Sequence, residues 1–265
     1  MTPRHIHTLF RPAVGRKRSS RLLFVHGGYA TAACWDAYFM PWFSDRGFDC
    51  HALDLAGHGG SAGRERLDSF GLDDYTDDLA QVVGRLHGPT ILIGHSLGTV
   101  VVERFLERQP TQAAVLMAPV PPSGILGATM KIAFSDPAFF TEQARATRGR
   151  YTARTLQTIR DVYYSAETGS EDLIRFGRLF QSESRRAILE LTLLAMRLPR
   201  HRPRLPVLVL GGQADAVFPP QGLRFTAMAW QAEVAVIPRA GHTLMLDAHW
   251  QAAAEAIVEW LERHT

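Results

Sequence analysis

Cysteine is scarce in this chain: Cys34 and Cys50 are the only two in 265 residues. Two thiols at this length exclude a disulfide framework and fit a reducing compartment. Long apolar runs are missing as well. No uncharged stretch approaches the roughly 18 residues that cross a bilayer, and the N-terminus, M-T-P-R-H-I-H-T-L-F-R-P, lacks an apolar segment of signal-peptide length. The chain is therefore expected to be soluble and cytoplasmic, without stable membrane insertion. Charge of one sign is also lacking: 29 Lys and Arg oppose 26 Asp and Glu, a formal balance of +3, which excludes an argument for a nucleic-acid partner from charge alone. The histidines are scattered, and neither cysteine has a paired partner at ligand spacing, so no metal and no cofactor are expected.

What is present is an ordinary globular composition, 46% hydrophobic and 21% charged, with no repeats or low-complexity tracts. The basic excess is local. Arginine accumulates between Arg145 and Arg204, and Arg16-Lys17-Arg18 with Arg21 reads as an exposed hairpin turn.

Short runs rich in Leu, Val and Ile read as strands: 22–25, 50–53, 90–93, 113–117, 206–210 and 233–237. Several are continuously apolar, as strands covered on both faces are. Helical patterns alternate with them at 35–45, 73–86, 97–108, 221–229 and 243–263. Such alternation predicts an α/β fold with a mostly parallel sheet and crossover helices.

The alternation stops after Pro119 and resumes at Pro206. Proline-rich stretches bound the gap, A-P-V-P-P-S-G-I-L-G at its opening and L-P-R-H-R-P-R-L-P at its close. Four helical patterns fill it, at 139–151, 152–164, 170–180 and 183–197. Residues 120–203 are thus expected to form a helical lid over one sheet edge, with 1–119 and 204–265 as the core domain. Phe139, Phe140, Tyr163, Tyr164, Phe176 and Phe180 read more readily as the lid's own core than as walls of a pocket.

One segment points to chemistry. I-L-I-G-H-S-L-G-T-V, residues 91–100, is a strand, a G-x-S-x-G turn and a helix start. A serine on so sharp a turn projects its hydroxyl, the small Gly94 and Gly98 leave room for it, and the N–H of Leu97 faces a developing oxyanion. The plain alternative is that Ser96 only N-caps a helix. A serine nucleophile also needs a base and an acid that orients it. His242, in the loop after the last strand, is the base candidate; His26, His58 and His95 are set aside. Asp215, in G-G-Q-A-D, is the acid candidate, with Asp247 its nearest rival, one turn inside the final helical pattern, where the helix dipole alone favours it. The loop His26-Gly27-Gly28-Tyr29 supplies a second oxyanion donor, Gly28 first and Tyr29 next, and Tyr29 is expected in the substrate pocket. Cys34 either lines that pocket or serves as a small apolar residue.

With H-G-G at 26–28, D-L-A-G-H-G-G-S at 54–61, G-H-S-L-G at 94–98, G-G-Q-A-D at 211–215 and A-G-H at 240–242, the chain resembles the α/β-hydrolase superfamily everywhere except in the lid. The resemblance implies an α/β-hydrolase fold of eight strands, mostly parallel and flanked by helices, a lid inserted after the sixth strand, and hydrolysis through an acyl-enzyme. In it Asp54, Gly57 and Gly59 are structural, and His58 is no base. Within the superfamily the chain looks most like the lysophospholipase and monoacylglycerol-lipase-like carboxylesterases, and its serine speaks against the haloalkane dehalogenase and epoxide hydrolase branches, which use aspartate. Thr99 departs from the commonest pattern, which has a third glycine there.

The reading at this level is a serine hydrolase cleaving a small-molecule ester that carries an acyl chain. The same triad also serves thioester cleavage, carbon-carbon hydrolysis or acyl transfer. A non-catalytic receptor on this fold is the reading from another class. The arginine-rich lid either meets an anionic group or presents a solvated basic face. Substrate and oligomeric state are not legible at this level.

Overall fold

A computed structural model describes residues 4–193, 199 and 201–265. Seven strands form one sheet among the described residues: β1 (Thr8–Arg11), β2 (Arg21–Val25), β3 (Asp49–Leu53), β4 (Thr90–His95), β5 (Ala113–Met117), β6 (Val207–Gly212) and β7 (Glu233–Ile237). Their order is β1-β3-β2-β4-β5-β6-β7, and every pair is parallel except β1 with β3.

The count is seven rather than the eight expected, and the insertion follows the fifth strand in chain order rather than the sixth. The chain before Arg21 is the reason: it holds the single strand β1 and a connection. That connection is also not the hairpin turn expected around Arg16, because β3 lies between β1 and β2. Its basic residues cross the sheet end, where Lys17 pairs with Asp49 and Arg18 with Glu262.

Side chains alternate across each strand, which explains the unbroken apolar runs. Leu22 and Phe24 point into one core with Ile91, Ile93 and Val115, while Leu23 and Val25 point into the other with Leu92 and Leu116. The first core is closed by α1 (Ala33–Asp36), α2 (Phe39–Ser44) and α11 (Trp250–His264), through Trp35, Phe39, Phe43, Ile257 and Trp260. The second is closed by α3 (Leu72–Val83), α4 (Leu97–Arg108) and α10 (Leu223–Trp230), through Tyr75, Leu79, Val101, Phe105 and Ala227.

Among the described residues five helices lie between β5 and β6: α5 (Leu126–Ser135), α6 (Phe139–Ala146), α7 (Ala153–Tyr163), α8 (Ser170–Gly177) and α9 (Arg185–Thr192). Four match the sequence patterns in place, shortened at their ends. Thr152 caps α7 by accepting the Thr155 N–H at 3.1 Å, and Ser184 caps α9 by accepting that of Ala187 at 3.2 Å. Helix α5 was hidden behind the proline-glycine opening. The far end of the pattern read over 183–197, and Leu198 and Arg200 in the closing proline-rich stretch, lie outside the described residues.

Parallel order brings the carboxyl ends of the strands to one edge. Chain order reverses between β2 and β4, which are neighbours, with β3 beyond one and β5 beyond the other. Crevices at such a switch point are where open α/β sheets bind ligands. The loops after β2 and β4 therefore emerge side by side, Val25 being level with Gly94.

Between these two loops the backbone is tight at Gly98, where an added Cβ would stand 2.5 Å from the Val25 carbonyl oxygen. Gly98→Ala is expected to destabilise the protein by about 2–4 kcal/mol, because backbone rather than a side-chain tip must move. Gly127, inside α5 with open space around its Cβ position, is the opposite case, and Gly127→Ala is expected to stabilise by about 0.5–1 kcal/mol. Chemical denaturation of the two variants reads both signs.

Candidate active site

Strand β4 ends at His95 and α4 begins at Leu97, leaving Ser96 alone to make the turn. It does so with φ 50° and ψ −119°. A non-glycine residue held there costs about 1–3 kcal/mol and persists only where packing imposes it. The hydroxyl of Ser96 makes no capping hydrogen bond to the helix, which removes the N-cap explanation. The carbonyl of Ser96 accepts the Thr99 backbone N–H at 2.9 Å and the Thr99 hydroxyl at 2.6 Å. Thr99 Oγ1 also accepts the Val120 N–H at 3.3 Å. The residue that replaces the expected third glycine thus ties the turn to the start of the insertion.

His242 and Asp215 meet as the sequence pattern required, with Nδ1 and Oδ2 2.9 Å apart and both residues buried. The other oxygen of Asp215 accepts the N–H groups of Val217 and Phe218 at 2.8 Å each. That fixes the carboxylate. With Nδ1–H donated to Asp215, Nε2 of a neutral His242 presents its lone pair. Ser96 and His242 line one cavity of about 190 Å³, together with Gly28, Tyr29 and Leu97.

Asp247 has a different task from the one read in sequence. The final helix starts at Trp250, not at Thr243, so Asp247 precedes it and the dipole argument does not apply. Its carboxylate accepts the N–H groups of Ser165 at 2.6 Å, Gly241 at 3.2 Å and His249 at 3.0 Å. It organises the His242 loop from behind. Asp54 is similarly structural, accepting from Ala32 at 2.7 Å and Gly60 at 2.9 Å.

The histidines set aside prove to be supports. His95 places Nε2 3.0 Å from the His242 carbonyl oxygen, and burial, with His242 next to it, lowers its pKa to about 3. Neutral at working pH, it donates that proton to the carbonyl. His26 accepts the Leu55 N–H on Nε2 at 3.1 Å and donates from Nδ1 to the Gly27 carbonyl at 2.8 Å; burial, reinforced by His58, lowers it to about 4. His58 is the reverse. Burial opposes its charge, but Glu183 at 3.1 Å and the Ala56 carbonyl at 3.1 Å prevail and raise its pKa. Glu183 is held below the usual carboxylate range, because His58 and donors from Ser184 and Tyr75 outweigh its own burial.

Sequence reasoning missed Glu183 and the part played by His95. Nothing local marks Glu183, whose side-chain partners His58 and Tyr75 are more than 100 residues away. For His95 the signal was a polar residue ending an otherwise apolar strand.

The six aromatic residues of the insertion read as its own core all line the cavity, and Phe139, Tyr164 and Phe176 are deeply buried as well. A wall and a core are the same surface here, because the insertion packs its apolar side onto the opening. Cys34 is also on the wall, and burial with Asp54 in range pushes its thiol well above the ordinary value, so it stays neutral. Among the described residues no Lys or Arg lines the cavity. Arg145, Arg154, Arg185 and Arg186 of the insertion face outward, pairing with Glu142, Asp136, Asp68 and Glu190. No group of His, Cys, Asp and Glu suited to a metal ion occurs among the described residues, and no described helix is long and apolar enough to cross a membrane.

Residues 22–256 match the Alpha/beta hydrolase family along almost the whole sheet and insertion. The chain belongs to that family. A pyrethroid hydrolase from Sphingobium wenxiniae is 33% identical over 96 residues, 36% of this chain and 34% of that protein. The curated relatives matched are spanned over only about a third to about half of their own length. Among solved structures, an esterase from Thermogutta terrifontis superposes with a TM-score of 0.73 at 24% identity, over 100% of this chain and 97% of that one. A monoacylglycerol lipase from Paleococcus ferrophilus gives 0.72 at 21%, over 98% and 100%. These two structures speak for the shared fold.

The buried neutral histidines set the acid behaviour of this protein. An unfolded histidine takes a proton near 6.5, whereas folded His26 and His95 wait until about 4 and about 3. The unfolded state therefore binds more protons across this window, and stability falls as pH drops from 6.5 toward 4 by up to about 1.4 kcal/mol per pH unit for each group. His95→Gln is expected to flatten that decline, measured by urea unfolding at several pH values. Parallel curves for variant and wild type would remove His95 from the account.

Proposed function

We propose that this protein is a serine carboxylesterase that cleaves neutral, apolar esters through an acyl-enzyme on Ser96. The observation that carries the reading is the strained Ser96 on the same cavity wall as His242, whose imidazole is held by buried Asp215. Ser96 Oγ attacks the ester carbonyl carbon while His242 Nε2 takes its proton. Asp215 stabilises the imidazolium that forms. The N–H groups of Gly28 and Leu97 hold the oxyanion, each worth about 10²–10³ in rate. Collapse expels the alcohol, protonated by His242, and water then attacks the acyl-enzyme by the same route in reverse order of roles.

The Tyr29 N–H is directed at Glu183 at 3.3 Å, which favours Gly28 as the donor of the pair. Residues 120–203 serve as a lid on a core of residues 1–119 and 204–265, and Tyr29 faces the substrate. An acyl chain fits the aromatic and aliphatic wall. Cytoplasmic placement agrees with the two unpaired cysteines, both buried as free thiols.

Thioester or carbon-carbon hydrolysis and acyl transfer use the same parts. An anionic acyl group is disfavoured by the apolar wall and the outward arginines, which leaves an uncharged ester as the better substrate. A receptor without catalysis has no use for a strained serine beside a buried His-Asp pair.

Ser96→Ala is expected to lower kcat by about 10⁴-fold or more, and Asp215→Asn by about 10⁴-fold, since these groups act as a unit. Assay with p-nitrophenyl esters from acetate to laurate reads this, together with chain preference. Turnover that persists in pure Ser96→Ala protein sinks the assignment, and wild type with neither burst nor turnover at any chain length points to a receptor. A carboxylated ester is expected to react more slowly than its neutral counterpart, with no dependence on salt.

A further inference from the structure

We infer that Glu183 and Gln181, in the segment of the insertion just before α9, are positioning residues that hold the oxyanion loop in its working shape. The inference rests on Gly28 being an oxyanion donor, as proposed above.

The loop between β2 and α1 carries its strain at Tyr29, which takes φ 63°. A bulky residue in the left-handed region needs its surroundings to hold it there. Those surroundings come from the insertion. The backbone N–H of Tyr29 donates to Glu183 Oε2 at 3.3 Å, and the backbone carbonyl of Tyr29 accepts the Gln181 N–H at 2.9 Å. The Gln181 side-chain amide donates to the Ala30 carbonyl at 3.0 Å. Both peptide groups flanking the Tyr29 Cα are therefore gripped by residues more than 150 positions away. A Cβ on Gly28 would stand 3.6 Å from the same Glu183 oxygen, so the grip lies directly against the donor.

Glu183 is itself anchored. Oε2 also accepts from His58 at 3.1 Å, while Oε1 accepts the Tyr75 hydroxyl at 2.8 Å and the Ser184 N–H at 2.7 Å. His58 Nδ1 faces the Ala56 carbonyl at 3.1 Å, so both ring nitrogens have acceptors and the ring carries its proton. The carboxylate is thus a fixed post, neutralised by an imidazolium, with Tyr29 hung from it. A network in which every member has a partner is stiff, and stiffness is what an oxyanion donor requires, since its value lies in not having to reorganise.

This assigns the insertion a part in rate as well as in access. When the segment 181–184 is seated, Tyr29 is gripped and Gly28 N–H is aimed. When it is not, the strained loop is free to relax.

The test compares Glu183→Gln, Glu183→Asp and Gln181→Ala with wild type. The amide places an N–H₂ group where one accepting oxygen stood, and aspartate withdraws the carboxylate from Tyr29 while keeping the charge beside His58. Values of kcat are taken per active site titrated with a fluorophosphonate, so that loss of folded enzyme does not count. The Glu183 variants are expected to lose about tenfold or more in kcat with KM within about threefold, and Gln181→Ala about threefold. The Ki of a trifluoromethyl ketone, whose adduct with the serine carries an oxyanion, is expected to rise in proportion. The Ki of an unreactive amide of the same shape is expected to stay put, which a merely structural role would not arrange.

Wild-type kcat and ketone Ki in folded Glu183 variants overturn the inference. If those variants do not fold, Gln181→Ala decides, and wild-type values there overturn it. Failure of the underlying reading looks different: wild type itself then takes no label on Ser96 and does not bind the ketone.

Discussion

The site depends on one crowded junction, where the first turn of α4 lies against the end of β2. A side chain at Gly98 would collide with the carbonyl oxygens of Val25 and His26, and one at Gly94 with the carbonyl of Gly98. Two neighbouring parallel strands therefore set the position of Ser96, and the helix cannot start anywhere else. The strain of about 1–3 kcal/mol in Ser96 is small against the surrounding burial. Leu22, Leu23, Phe24, Val25, Ile91, Leu92 and Ile93 are wholly buried, at about 1.5–3 kcal/mol each. Gly27 belongs to the same junction, since its Cβ would meet His95 and Ser96. The loop of Gly27 and Gly28 and the serine turn are thus fitted closely to each other.

Around this junction, charge is decided by partners rather than by residue type. His26 and His58 have ring centroids 5.1 Å apart, yet one is neutral and the other protonated. His26 offers a lone pair to a backbone N–H, which only the neutral ring can do. His58 finds an acceptor at both nitrogens, one of them a carboxylate. Had both rings been charged, their repulsion would have loaded the loops that carry Gly28 and Gly59. His95 repeats the neutral solution under His242. The His242 loop thus rests on an imidazole that stays neutral.

Much of this was legible in the sequence because it is local. The six apolar runs are strands since each strand is covered on both faces, and G-H-S-L-G with its strand and helix carries its own geometry. Asp215 and His242 were found because parallel strands deliver their following loops to one edge. Other features depend on distant partners. The final helix begins late because Asp247 draws Ser165, Gly241 and His249 into a compact loop, a competition that helical periodicity does not register. β1 pairs with β3 rather than with the next strand in sequence, so basic residues that looked like a hairpin turn form a crossing connection. The aromatic residues of the insertion were ambiguous because their spacing marks an apolar face without saying what it meets. Glu183 was invisible, being one acidic residue in an arginine-rich segment, with its distant partners on two loops and helix α3.

The insertion reaches the site at two places, and they serve different loops. Through Tyr163 and Ser165 it braces the His242 loop, where Thr243 donates to the Tyr163 carbonyl at 2.8 Å and Ser165 shares Asp247 with Gly241. Through Gln181 and Glu183 it braces the loop of Gly28 and Tyr29. Between these footings lie α8 and the aromatic wall of Tyr163, Tyr164, Phe176 and Phe180. One stretch of the cavity wall and the residues that hold its two loops therefore lie in a single continuous segment, from 163 to 184. A change in that segment that enlarges the cavity also shifts one footing or the other. Cavity shape and loop geometry are for this reason mechanically joined.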